Sequence, residues 1–241
     1  MSMDQLQSQM NHMRLYGMAD AYQSLQEARK LHDLDLHEGL ELLLQAEDQE
    51  RQHRRFKRLE CNAGFRYKAS MEELHTEPSR GVDKQLTATL ATGDYIKKGM
   101  SVLITGATGC GKSFMASALG HQACMQGYTV SYFNTQKLML KMKLSRLDGT
   151  VYKLFEKLSK TQLLLLDDFG LTRLEQQQQM DMMEIIEDRH GKTATIIASQ
   201  LPVTSWYDVI GEETIADAIL DRLIHTSYRI EIKGESLRRK L

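Results

Sequence analysis

The spacing of apolar residues divides the chain into two regions of different architecture. In residues 1–62, leucine and methionine recur three, four and seven positions apart, which is the period of an amphipathic helix. This spacing predicts three helices, separated near Gly17 and by the polar stretch 32–35, with the third continuing to Leu59. We therefore expect a small, all-helical N-terminal domain over residues 1–62.

From residue 101 onward, short apolar runs alternate with helical patterns. Alternation of this kind predicts an α/β fold, with a parallel sheet whose strands are joined by right-handed helical crossovers. Residues 63–80 show no sustained period and contain turn residues, so we expect a linker there and a core domain over residues 81–241. The five predicted strands cover residues 101–105, 128–133, 163–168, 193–198 and 227–232.

Composition limits the class of protein further. The 241 residues are 41% hydrophobic and 26% charged, which is typical of a globular chain. No apolar run approaches the roughly 18 residues of a membrane span, and the polar opening lacks the apolar segment of a secretory signal. Three cysteines without a CxxC pair support neither a disulfide framework nor a zinc knuckle. We expect a cytoplasmic protein with no membrane partner.

Charge is segregated along the predicted helices, although the net charge is only −1. Residues 1–50 carry 3 basic and 10 acidic side chains, whereas residues 51–70 carry 7 basic and 1 acidic. On a continuous third helix, four arginines project on the same side as Leu36, Leu40 and Leu43, the side expected to pack a core. These arginines are predicted to bind the phosphates of duplex DNA, largely without sequence preference. They are Arg51, Arg54, Arg55 and Arg58.

A solvated helix face is the alternative for this run of charge. Glu47 and Glu50 lie four positions before Arg51 and Arg54, respectively, and are candidate ion-pair partners. The other two arginines have no acidic residue four positions before them, which favours the phosphate-binding interpretation.

A glycine-rich segment follows the first predicted strand and opens a predicted helix. Its sequence, GATGCGKS, matches the phosphate-binding loop pattern GxxxxGK[ST] in the context that the pattern requires. Lys112 is expected at the β and γ phosphates of ATP, and the Ser113 hydroxyl at Mg²⁺. The predicted nucleotide-binding residues of this loop are Gly106, Ala107, Thr108, Gly109, Cys110, Gly111, Lys112 and Ser113.

Polar residues end two further predicted strands. Asp167 and Asp168 follow a run of four leucines, and ligands of parallel sheets gather at the carboxyl ends of strands. We expect Asp167 to hold Mg²⁺ with Ser113, and Asp168 to orient the water that attacks the γ phosphate. Ser199 and Gln200 end the strand 193–198, and one of them is expected to contact the γ phosphate; a simple turn is the alternative.

Several segments together resemble the IstB and DnaC branch of the AAA+ ATPases, and IstB-type transposition helpers most closely. They are MRLYGM, LATGDYIKKG, GATGCGKS, LLLLDDFG, TIIASQLP, ILDRL and GESLRR. The resemblance implies a five-stranded AAA+ core that binds ATP and Mg²⁺, with Asp167 on the metal and Asp168 polarising water. It also implies that Ser199 or Gln200 acts as the first sensor.

Two arginines acquire candidate roles through the resemblance. Arg222 in ILDRL is implied to be a finger supplied to a neighbouring subunit, and a salt-bridged surface arginine is the alternative. Arg238 in GESLRR is a candidate second sensor. Asp168 departs from the glutamate that many AAA+ proteins carry and is one methylene shorter, so we expect slow ATP turnover.

The resemblance implies an ATP-dependent, DNA-binding helper of insertion-sequence transposition. ATP at subunit interfaces would promote self-association on duplex DNA, and the oligomer would recruit or activate a transposase in the bacterial cytoplasm, in association with the nucleoid. A DnaC-like helicase loader shares the core and is the closest alternative. A small-molecule P-loop kinase is the alternative of another class and predicts a monomer.

Overall fold

The computed structural model describes residues 3–74 and 76–237 of the chain. The chain divides into two compact units, of which the first ends at Arg58 and the second begins at Leu59. Among the helices that the structure describes, none is long and apolar enough to cross a membrane.

The first unit is all-helical, as the apolar spacing predicts. Its helices are α1 (Met3–His12), α2 (Tyr16–Glu27) and α3 (Leu36–Ala63), the last of which continues into the second unit. Gly17 lies in the first turn of α2 and does not separate two helices, which corrects the sequence-based expectation. Leu36 and Leu40 are 80% and 48% exposed, so the face expected to pack a core is largely open. The reason is that α1 and α2 pack mainly on each other and leave the start of α3 uncovered.

Gly17 and Glu47 join α2 to α3. A Cβ at Gly17 would overlap the carbonyl oxygen of Ala46, so only glycine allows this approach. The buried Glu47 carboxylate accepts hydrogen bonds from the amides of Gly17 (2.8 Å) and Met18 (3.3 Å), which the first turn of a helix leaves unpaired. Burial opposes ionisation, but hydrogen bonds from Arg51 and from these two amides outweigh it and hold the pKa of Glu47 below its usual 4.5.

The second unit contains the predicted five-stranded parallel sheet, with the strand order β2-β3-β4-β1-β5. The strands lie at the predicted positions, with the start of β2 two residues later than expected. They are β1 (Ser101–Gly106), β2 (Val130–Asn134), β3 (Leu163–Phe169), β4 (Ala194–Ser199) and β5 (Ser227–Ile232).

Helices cover both faces of the sheet. On α6, Gly120 lies against Leu165 of β3, whereas α7 shares a buried cluster with Leu164 and Leu166. Because successive side chains of a strand point to opposite faces, α6 and α7 lie on opposite sides of the sheet. The helices of this unit are α4 (Lys84–Ala91), α5 (Asp94–Lys97), α6 (Lys112–Met125), α7 (Thr135–Leu147), α8 (Val151–Lys160), α9 (Gln176–Arg189), α10 (Trp206–Ile210) and α11 (Glu213–Ile224).

The segment 63–80, expected as a linker, is part of the second unit and packs on its core. The Phe65 ring stacks on His121 with a centroid separation of 4.2 Å, and Arg80 donates a hydrogen bond of 2.9 Å to the carbonyl of Cys110. Compact units and functional domains are different divisions of a chain, so the assignment of separate functions to residues 1–62 and 81–241 stays a prediction.

Candidate nucleotide-binding site

The glycine-rich loop joins β1 to α6 at the carboxyl edge of the sheet. Gly106, Gly109 and Gly111 have φ angles of 145°, 82° and 105°, a region that side chains disfavour. A Cβ at Gly106 would also overlap the carbonyl oxygen of Ile232. Because α6 begins at Lys112, its unpaired amides and positive dipole end face the loop. The backbone is therefore suited to holding an anion such as a phosphate.

A cavity of about 270 Å³ opens in front of this loop. Among the described residues that line it, Lys112 supplies the positive charge; its buried Nζ donates a hydrogen bond of 2.7 Å to the carbonyl of Ala107. Phosphate oxygens would be stronger acceptors for this ammonium group than a neutral carbonyl. The lining residues are Tyr67, Thr108, Gly109, Gly111, Lys112, Ser113, Phe114, Asp168, Gln200 and Leu237.

Asp167 lies beside the loop and is 1% exposed. Its Oδ1 accepts hydrogen bonds from the Ser113 hydroxyl at 2.8 Å and from the amide of Asp168 at 2.9 Å, while Oδ2 accepts one from the Tyr132 hydroxyl. Burial, together with this hydrogen bond to Asp167, raises the pKa of Tyr132, which keeps the phenol a donor. Adjacent hydroxyl and carboxylate oxygens fit Mg²⁺, which takes few protein ligands and completes its shell with phosphate and water.

Asp168 has an unusual backbone conformation and two side-chain partners. Its φ of 56° lies in the left-handed region, and the β3–β4 register shifts between Leu166 and Phe169, which turns this residue out of the ladder. Its Oδ2 accepts a hydrogen bond of 2.9 Å from Nδ2 of Asn134 and lies 3.4 Å from Nη1 of Arg66. The carboxylate therefore faces the cavity with one oxygen already engaged.

Ser199 and Gln200 meet different surroundings at the end of β4. The Ser199 hydroxyl is fully buried; it donates to the carbonyl of Phe169 at 2.7 Å and accepts from the amide of Leu201 at 3.1 Å. Gln200 lines the cavity, and its Oε1 accepts a hydrogen bond of 2.6 Å from the hydroxyl of Thr108 in the loop. Of the two, Gln200 is the one that can reach a bound phosphate.

A second cavity, of about 150 Å³, adjoins the first and shares Gly111, Phe114 and Leu237 with it. Its other walls come from the segment 73–82, from α6 and from the end of β5. The walls are mostly apolar, which suits an aromatic base placed next to the phosphates. The lining residues are Glu73, Leu74, Arg80, Val82, Cys110, Gly111, Phe114, Met115, Ile232 and Leu237.

Comparison with known proteins decides the family. The family of IstB-like ATP binding proteins matches residues 8–241 of the chain. A Sinorhizobium fredii protein named as an insertion sequence ATP-binding protein, y4pL, is 42% identical over 230 residues, which cover 95% of this chain and 94% of that protein. The chain belongs to the IstB-like ATP-binding family. The ATP-binding protein named for insertion sequence IS1162 of Pseudomonas fluorescens is 41% identical over 81% of this chain and 85% of its own length.

Solved structures share the fold of this IstB-like protein at low identity. The crystal structure of the DnaC helicase loader has a TM-score of 0.57 at 20% identity and covers 68% of this chain and 97% of that chain. AMPPCP-bound DnaA from Aquifex aeolicus has a TM-score of 0.60 at 19% identity, covering 73% of this chain and 53% of that chain. The five-stranded core therefore has the same fold as these DnaC and DnaA structures.

Arg222 lies outside the cavity of its own IstB-like chain. On α11, its Nη2 is 2.5 Å from Oε2 of Glu187 on α9, and its Nη1 donates a hydrogen bond of 2.8 Å to the carbonyl of Ala218. The side chain is 26% exposed. Within one chain Arg222 is thus ion-paired away from the loop. Arg238 lies outside the described residues.

The predicted DNA-binding arginines lie along α3, where Arg51 and Arg54 form ion pairs within the helix. Nε of Arg51 is 2.7 Å from Glu47, and Nε of Arg54 is 3.2 Å from Glu50, as the spacing of four residues suggests. The Arg54 guanidinium also lies 4.8 Å above the ring centre of Tyr16. Arg55 and Arg58 are exposed.

The structure adds residues to the site that the sequence motifs did not indicate. Tyr132 lies within β2, and Asn134 is its last residue. For Asn134, the sequence signal was a polar side chain at the end of a third strand. Arg66 comes from the expected linker, where no motif pointed to chemistry.

Proposed function

We propose that this IstB-like protein is an ATP-dependent, DNA-binding helper of insertion-sequence transposition that assembles as an oligomer on duplex DNA and hydrolyses ATP at its subunit interfaces. One observation carries the proposal: residues of the loop, Asp168 and Gln200 line one cavity, and Asp167 accepts a hydrogen bond from Ser113 at its edge, whereas Arg222 is held on another part of the same chain. A neighbouring subunit could supply a further cation beside Lys112.

The chain's own groups divide the work at the phosphates. The loop amides and Lys112 bind the β and γ phosphates, and Ser113 with Asp167 would hold Mg²⁺, which neutralises charge on the transferring group when bound. Asp168 accepts a hydrogen bond from the attacking water and so aligns it. Gln200 contacts the γ phosphate or that water. The apolar cavity beside the loop holds the adenine ring.

Arg222 acts in trans in this proposal. The Glu187 side chain, its ion-pair partner, is more than half exposed, so the ion pair is weak. Arg222 can therefore exchange Glu187 for a phosphate of the next subunit. A planar guanidinium matches phosphate geometry and stabilises the charge that spreads over the transferring group. ATP occupancy would then favour the subunit interface, and assembly would in turn favour hydrolysis.

The names of the relatives support the biological setting. Two relatives that are more than 40% identical are named as insertion sequence ATP-binding proteins. The arginines of α3 and the clustering of basic residues between 51 and 70 support contact with DNA phosphates. Recruitment of a transposase is the step that links such an assembly to transposition.

Sedimentation velocity with duplex DNA tests this function. With a non-hydrolysable ATP analogue, we expect the wild-type protein to form large complexes on the duplex, and Lys112→Ala to form none because phosphate binding is lost. Arg222→Ala should bind nucleotide but assemble and hydrolyse poorly, with turnover lower by about 10³-fold or more.

Arg229→Ala is the matched control, since Arg229 is an exposed arginine on β5. It should assemble and turn over ATP as the wild type does. Assembly and hydrolysis that survive in Arg222→Ala would contradict action in trans. A monomer under all conditions would favour the kinase alternative, and a pull-down with transposase or replicative helicase would separate the helper from the helicase loader.

A further inference from the structure

Helix α7 carries apolar residues on two faces. One face, with Leu138 and Met142, lies in the buried cluster of the second unit. On the other face, three leucines form what we call the α7 stripe: Leu140, Leu144 and Leu147, which are 57%, 54% and 80% exposed. At 100° per residue they project within about 60° of one another. A surface helix normally confines its apolar residues to the face that it buries, so packing within one chain does not explain this stripe.

Lysines flank the α7 stripe on both sides. In projection, Lys137 and Lys141 lie on one side of it and Lys143 lies on the other, and all three side chains are exposed. The sequence of α7 contains no acidic residue. The open face of α7 is therefore that of a basic amphipathic helix.

An apolar groove of about 270 Å³ opens in the first unit, and residues of α2 and of the start of α3 line it. Leu36, Leu40 and Leu43 of α3 form one side of its lining, together with Gly39. Among the described residues, none has an atom within 4 Å of the position that a Cβ of Gly39 would take. Glycine destabilises a helix relative to alanine, and packing within the described chain does not require it here. A close approach of a second backbone would require it.

The groove lies in the acidic part of the chain. Residues 1–50 carry 10 acidic and 3 basic side chains. Asp35 lines the groove, and the exposed Glu41 and Asp48 project beside the leucines of α3. Two such grooves would repel each other, whereas a basic helix would be attracted. The chemistry of the groove therefore matches a helix whose leucines are flanked by lysines.

We propose that the α7 stripe of one copy of this chain docks in the α2–α3 groove of a second copy. The stripe has the spacing of four and then three residues by which amphipathic helices enter apolar grooves. Because stripe and groove are different surfaces, the contact is heterologous, and further copies can add head to tail. The contact is separate from the one proposed for Arg222 and requires neither nucleotide nor DNA.

Sedimentation velocity over a series of protein concentrations, without nucleotide or DNA, tests this contact. The wild type should form oligomers larger than a dimer. Leu40→Asp and Leu144→Asp should each weaken self-association by about tenfold or more, because a charge replaces a leucine that the contact would bury. An equimolar mixture of the two variants should form dimers and nothing larger, since each pair retains one intact groove and one intact stripe.

Leu42→Asp and Met125→Asp are the matched controls and should associate as the wild type does. Leu42 is an exposed leucine of α3 that projects away from the groove, and Met125 is exposed on α6, on the opposite side of the sheet from α7. All four variants replace exposed side chains and should melt as the wild type does. If either test variant does not fold, Leu36→Asp and Leu147→Asp repeat the test at positions that are both 80% exposed.

A monomeric wild type, or unchanged association in both test variants, would overturn the proposal. Loss of association in Leu40→Asp alone would indicate contact between two grooves, and loss in Leu144→Asp alone would indicate contact between two stripes; either result contradicts docking of unlike surfaces. A mixture that stays monomeric would show that groove and stripe do not meet between copies. If these tests fail while ATP still drives assembly on duplex DNA, the proposed function stands and only this contact is lost.

Discussion

Ser199 and Gln200 are adjacent in sequence, but only Gln200 reaches the phosphate cavity. We expect Gln200→Ala to lower kcat by about tenfold or more, because an uncharged donor near the transferring phosphate is lost. Its thermal unfolding should match that of the wild type, since the hydrogen bond of this partly buried side chain is to the exposed Thr108 hydroxyl. Steady-state kinetics combined with a melting curve would check both expectations.

Ser199→Ala provides the contrast at the neighbouring position. It leaves the buried carbonyl of Phe169 and amide of Leu201 without their partner, so we expect a loss of about 1–3 kcal/mol in the free energy of unfolding. Turnover of the folded protein should be retained. A Ser199→Ala protein that is fully stable but inactive would instead identify Ser199 as the sensor.

The sequence could not separate these two residues, for a physical reason. Strand periodicity gives the position at which β4 ends, and both residues lie there. The contact that occupies Ser199 comes from Phe169, thirty residues earlier, at a bulge that the periodicity does not reveal. Local pattern predicts the strand end, whereas side-chain partners depend on the neighbouring strand.

At the scale of elements, Glu47 links α2 to α3 and makes that link sensitive to pH. Its pKa in the folded protein is below 4.5, so the folded state favours the carboxylate. The stabilisation is therefore complete above the unfolded pKa and is lost as the pH falls through the lowered folded pKa. Relative to the intrinsic exchange rate, which itself falls with pH, the protection of the α2 amides in the full chain should decrease below pH 4.5. Glu47→Gln should lower the opening free energy of these amides by about 1–3 kcal/mol already at pH 7.

Glu41→Gln is the control for this element, because Glu41 is an exposed carboxylate of the same helix. Its α2 amides should exchange as in the wild type. Equal acceleration in both variants would show that net charge on α3, and not the capping of α2 by Glu47, governs this part of the fold.

Most elements of the core were predictable because their apolar periods are long and unbroken. The four leucines of β3 are each at most 1% exposed, as a strand covered on both faces requires. The period of α3 was also predicted, yet it did not reveal which face is buried, and Leu36 is 80% exposed. An apolar stripe shows which face of a helix can be buried. Whether that face is buried depends on the neighbouring elements, which the stripe does not predict.

At the scale of the whole molecule, distant segments build the parts of the site that the sequence left open. The apolar cavity takes its walls from the segment 73–82, from α6 and from residues 232 and 237. The loop pattern identified the phosphate end, because its eight residues are contiguous. The base end could not be predicted in the same way, since no local pattern joins these segments before the chain folds.

The segregated charge of the chain leads to a prediction about DNA affinity. Arg55 and Arg58 are suitable positions for testing it, because both side chains are exposed on α3. We expect the double replacement Arg55→Gln and Arg58→Gln to reduce the slope of log affinity against log salt by about 1.8, since each phosphate contact on duplex DNA contributes about 0.9. Arg29→Gln with Lys30→Gln removes the same net charge from exposed positions outside α3 and should leave the slope unchanged. An equal reduction in both double variants would mean that DNA responds to overall charge, and an unchanged slope in both would remove the α3 arginines from the DNA interface.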